Sequence, residues 1–110
     1  MTFGDAERAM ADLHMILARM RRDLFWSDDE SSVEMISRYQ LRYREGVRSL
    51  LVYQELQADP HVVAIERAPM KAWEPPHEGD PLDDGDRDRI IENMRRAFST
   101  RNYILELLDE

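Results

Sequence analysis

The chain contains no cysteine. Disulfides, thiolate metal centres and a cysteine nucleophile are therefore excluded together. Glycine is scarce, at four residues, and neither the GxGxxG nor the GxxxxGKS/T phosphate loop occurs. No serine stands in a GxSxG frame. No apolar run approaches the roughly 18 residues that a membrane span needs. Asp5, Glu7, Arg8 and Asp12 interrupt the stretch where a secretion signal would carry its apolar core. The expectation is a cytoplasmic protein that does not engage a membrane. Histidine is also sparse: His14, His61 and His77 never pair at the three- or four-residue spacing that builds a metal site on a helix. No metal and no cofactor is expected.

What is present is a folded, highly charged domain. Of 110 residues, 43% are hydrophobic and 35% charged, a balance that supports one core and one domain, 1–110. A chain of this length buries roughly two thirds of its unfolded surface. The formal net charge is −8. Such a surface repels nucleic-acid phosphate. It attracts a basic protein and speeds its arrival, although the same charge also serves solubility alone.

The apolar pattern changes period along the chain. Phe3, Ala6, Met10, Leu13, Leu17, Met20 and Leu24 alternate spacings of three and four, which predicts a long N-terminal helix from Phe3 to Phe25, within segment 1–26. Ser27 to Ser32 then forms a polar, acidic loop. Val33 to Arg44 alternates with period two, as one strand or as two joined near Arg38. Glu45-Gly46 is a turn candidate, because glycine tolerates positive φ. Val47 to Leu56 is apolar on both faces and reads as a central strand. His61 to Glu66 is a further strand, and Pro69 stops it from continuing. From Asp84 the helical period returns, with Ile90, Ile91, Met94, Ala97 and Phe98 on one face and Asp83 with Asp86 as a capping pair. Tyr103 to Leu108 reads as a last strand. The expected fold is α+β: a long first helix, a mostly antiparallel sheet of about four to five strands, a second helix and a C-terminal strand, with the sheet and second helix in 33–108.

Four constellations invite a chemical reading. Glu74 and His77 share an ExxH spacing, but on a proline-rich loop where that spacing defines no common face. Asp84, Asp86 and Asp88 around Gly85 resemble the start of a calcium loop, yet the twelfth position holds Arg95 in place of the bidentate glutamate. A helix N-terminus explains these carboxylates better. Arg38, Arg42, Arg44 and Arg48 are expected on the polar face of the hairpin. They form either a solvated face paired with nearby Asp and Glu or a surface for a carboxylate or phosphate. Tyr39 and Tyr43 fall on the other face, which disfavours nucleic-acid binding. Trp26 and Trp73 each flank an acidic loop, where tryptophan serves core packing or an interface.

The residues from Val33 to Leu108 resemble small α+β immunity proteins of bacterial polymorphic toxin systems. The resemblance is carried by the tyrosine hairpin from Tyr39 to Gly46, the strand ending in Glu55 and the segment Trp73-Glu74-Pro75-Pro76-His77. The helix Ile90-Ile91-Glu92-Asn93-Met94-Arg95-Arg96-Ala97-Phe98 and a short final strand complete it. It implies a protein that binds and neutralises a cognate toxin domain by occlusion, with no catalytic residues of its own. Such an interface buries about 1,600 Å² in total. For a basic toxin, Asp28, Asp29, Glu30, Glu78 and Asp80 are the expected contacts, because they lie outside the predicted regular structure. The stripe on the first helix leaves room for a homodimer through that helix.

Two other readings fit the composition. One is an acidic phage or host regulatory protein that acts by protein binding or DNA mimicry, against which the four arginines argue. The other is a small enzyme with a site between the Trp73 loop and the sheet.

Overall fold

The structure, a computed structural model, describes residues 23–26 and 30–109. Most of the expected first helix, and with it the expected homodimer contact, lies outside the described residues. Its last turn does not. Leu24–Trp26 is a strand, β1, and not the end of a helix. The helical spacing of Leu24 gives way to pairing across the sheet, with Phe25 opposite Val33. Phe25 packs against the rings of both Phe98 and Tyr103, at 4.8 and 5.1 Å between centroids. Contacts this distant in sequence override local periodicity.

Five further strands follow: β2 (Ser31–Ser37), β3 (Gln40–Glu45), β4 (Arg48–Glu55), β5 (Val62–Ile65) and β6 (Ile104–Leu107). The described sheet thus has six strands, in the order β1-β2-β3-β4-β5-β6. The count exceeds the expected four to five because β1 was hidden in the helical pattern and the Val33–Arg44 run is two strands. Neighbours from β1 to β5 are antiparallel, and β5 and β6 are parallel. A parallel pair needs a crossover. Here it contains the one helix among the described residues, α1 (Asp84–Ser99).

Local chemistry explains these boundaries. Gly46 has φ +59°, in the two-residue loop between Glu45 and Arg48. A glycine in the first central position suits a tight hairpin. The Asp83 carboxylate accepts from the Asp86 N–H, and the Asp86 carboxylate accepts from the Asp83 N–H, a complete capping box. Asn102 takes φ 63° before β6, a conformation asparagine tolerates.

The helix and the sheet share one core. Ile90, Ile91, Met94, Ala97 and Phe98 of α1 pack with Val33, Leu41, Tyr43, Leu50, Val52, Val63, Ile65 and Leu105 of the sheet. These sheet residues alternate along each strand, as a single covered face requires. Trp73 and Leu82 of the β5–α1 connection close one end of the same core.

Candidate functional site

Three of the five expected contact residues, Glu30, Glu78 and Asp80, are brought to the turn between β3 and β4. Gly46 N–H donates to the Glu30 carbonyl at 3.1 Å, which brings Glu30 to the turn's side. The Arg48 guanidinium donates to Asp80 at 3.0 Å, which brings the connection 77–80 to the other side. Glu78 lies in that connection, closed by the Asp80 N–H donating to the His77 carbonyl at 3.0 Å. Glu30, Glu78 and Asp80 are all exposed. Asp28 and Asp29 lie outside the described residues. At the centre stands Val47, 86% exposed, the most exposed large hydrophobic residue described.

The connection is fixed by polar and aromatic contacts. Arg42 donates to both oxygens of Glu74, at 3.2 and 3.4 Å, and the Glu74 N–H donates to the Ser49 carbonyl at 2.9 Å. Trp73 stacks on Tyr43 with centroids 6.4 Å apart, and the Arg48 guanidinium lies 6.0 Å from the Trp73 ring. The Leu82 N–H closes the loop onto the Lys71 carbonyl at 2.9 Å. The acidic loop is therefore held on a built support.

Behind the turn lies a second polar group. The Tyr43 hydroxyl donates to Glu45 at 2.7 Å and accepts from the Asn93 amide at 2.9 Å. Arg89 bridges Glu45, at 3.1 Å, and Asp86, at 2.9 Å. Burial pushes the Tyr43 hydroxyl well above its ordinary value, so it stays a neutral donor. Asp86 is held below the usual carboxylate range by the backbone N–H of Asp83 and by Arg89. Asp84 is lowered by the Arg87 side chain, which donates to it at 2.6 Å. These contacts hold the groups in place behind the turn.

The arginine stripe divides. Arg42 and Arg44 share the outer face, Arg38 sits in the β2–β3 turn, and Arg48 projects to the inner side. The register explains this: Arg44 pairs with Ser49 and Glu45 with Arg48, so the hairpin exchanges odd and even positions between faces. Arg42 and Arg48 are paired with carboxylates, as a solvated face would have them. The three helix-start aspartates are engaged likewise: Asp84 by Arg87, Asp86 by Arg89, and Asp88 by Arg67 at 2.8 Å. Glu74 of the ExxH spacing is spent on Arg42. Among the described residues no group of three His, Asp or Glu side chains is arranged to hold a metal ion.

The sequence marks Glu45 only as part of a turn candidate and Val47 only as the start of an expected strand. The signal for Val47 was its place directly after a turn glycine.

A family model for Immunity protein 74 matches residues 33–107. The chain belongs to the Immunity protein 74 family. The match runs from within β2 to the end of β6, so it includes Val47, Glu78 and Asp80 and leaves out β1 and Glu30. It supports the resemblance read from the tyrosine hairpin, the Trp73 segment and α1. No curated protein and no solved structure matches the chain.

Proposed function

We propose that the protein binds a toxin domain made by the same cell and neutralises it by occlusion in the cytoplasm, as the immunity half of a polymorphic toxin system. Membership of the Immunity protein 74 family carries this reading. The net charge of −8 and the exposed carboxylates around Val47 support a basic partner. An exposed apolar tip ringed by charge has the layout of a small interface, with an apolar centre and a polar rim. The supported Trp73 connection suits a role in binding rather than catalysis.

Co-purification tests the reading. The tagged full chain, expressed from its native operon, is expected to bring down one toxin domain in equal amount. Recovery of the chain alone, from cells shown to make the neighbouring gene product, sinks the proposal.

A further inference from the structure

β4 pairs with β3 along its length, but with β5 only at Gln54 opposite Ile65 and Glu55 opposite Ala64. After Ile65 the chain leaves the sheet. It returns to β4 at Ser49, whose carbonyl accepts from the Glu74 N–H. Among the described residues, the edge of β4 stands open between these two places. Backbone alternation turns the Leu51 N–H and C=O toward that edge, as it does those of Ser49. No described backbone group bonds the Leu51 N–H or C=O.

A cleft of about 290 Å³ occupies this opening. Leu51, Tyr53, Ala64 and Leu108 give it apolar walls, and Glu55 and Glu66 supply carboxylates. The sheet register places Glu106 in the same row as Ala64 and Glu55 on the outer face. None of these three glutamates has an ion pair among the described residues. No described lysine or arginine lines the cleft. At its mouth Tyr53 is 63% exposed and Leu108 41%.

The size and chemistry together select an occupant. Small-molecule sites run from about 300 to 1,000 Å³, so this cleft sits at the bottom of that range and suits one long side chain. Apolar walls with carboxylates on one side match a side chain with a methylene stem and a cationic head. Arginine fits better than lysine. Its planar fork can reach a carboxylate and the open Leu51 carbonyl together, and its face can stack on Tyr53. We infer that the cleft is a docking pocket for an arginine side chain projected by the protein's partner. That the partner is a toxin rests on the function proposed above; the pocket's preference for arginine does not.

The first arm of the test uses the full chain, labelled with ¹⁵N, and Nα-acetyl-arginine amide as probe. Saturable millimolar shifts are expected at Tyr53, Glu55, Ala64, Glu66 and Leu108. The uncharged Nα-acetyl-norleucine amide, and the exposed double variant Glu55→Gln/Glu66→Gln, should each bind about tenfold more weakly, the loss of about 1.4 kcal/mol. Absence of shifts at these residues, or equal binding of the norleucine probe, overturns the pocket. The second arm measures the affinity of the same double variant for the co-purified partner. A loss of tenfold or more supports the docking role, and unchanged affinity overturns it. If the arginine probe binds the cleft but the operon yields no toxin partner, the pocket stands and the toxin reading falls.

Discussion

Truncating Phe98 to alanine tests the core that holds the acidic rim in place. Phe98 is fully buried, with its ring 4.8 Å from Phe25 and 6.2 Å from Tyr103. It joins the last turn of α1 to β1, the edge strand, and to the residue that leads into β6. Removing a buried phenylalanine ring costs about 3–5 kcal/mol, from lost transfer energy and the cavity left behind. A small domain has only about 5–15 kcal/mol in total. Near this chain length each kcal/mol moves the melting temperature by about 4–8 °C, so a fall of roughly 12 °C or more is expected. Thermal melts followed by far-UV circular dichroism read this directly. Ile104→Ser on the exposed side of β6 serves as the control and should change stability by no more than about 0.5 kcal/mol. A Phe98→Ala melt within a degree or two of wild type would show that α1 is peripheral, and the packing described above would be wrong.

Other outcomes follow from local geometry and charge. Gly46→Ala places a side chain at φ +59° with no atom within 4 Å of the added carbon, so its cost is conformational alone, about 1–2 kcal/mol in a urea titration. No loss of stability would mean the turn relaxes to negative φ. Asp84, Asp86 and Asp109 all have folded-state pKa values below the ordinary 3.8, for Asp109 chiefly because the Arg67 and Ala68 N–H groups donate to it. Stability from a depressed carboxylate is full above its unfolded pKa and is lost as pH falls through the folded value. The urea midpoint should therefore drop below about pH 4, and less so in Asp86→Asn/Asp109→Asn; identical acid profiles would remove these groups from the account. Changing Asp28, Asp29, Glu30, Glu78 and Asp80 together to Asn or Gln should slow association with the proposed partner and flatten its salt dependence, since charges at the rim of an interface act mainly on the association rate. Stopped-flow rates equal to wild type would place the interface elsewhere.

The sequence was most legible where structure is local. α1 announced itself through the Asp83/Asp86 pair and the spacing from Ile90 to Phe98, and both features are present. Gly46 marked its turn for the same reason: one residue's backbone freedom is enough to infer it. β1 was misread because Leu24 continues a helical spacing, whereas its true partner, Glu34 on β2, is set by the register of the sheet. The arginine stripe was misread because the side that Arg48 faces depends on the number of residues in the hairpin loop. The acidic residues of two separate loops stand out in the sequence only by charge and by lying outside regular structure. That Glu30 and Asp80 flank one turn follows only from the Gly46 and Arg48 contacts. Pro69 marks the end of the fifth strand in the sequence, but the cleft beside β4 does not follow from it, because the gap also depends on where the chain returns to β4 at Ser49.

The central claim is neutralisation, and growth of a bacterial host measures it most directly. The toxin domain that co-purifies with this chain, the partner proposed above, is induced with the wild-type chain, with the Phe98→Ala variant, or with an empty vector. The account predicts normal growth with wild type, arrest with the empty vector, and protection that weakens with Phe98→Ala as temperature rises. Arrest despite abundant folded wild-type protein would contradict it.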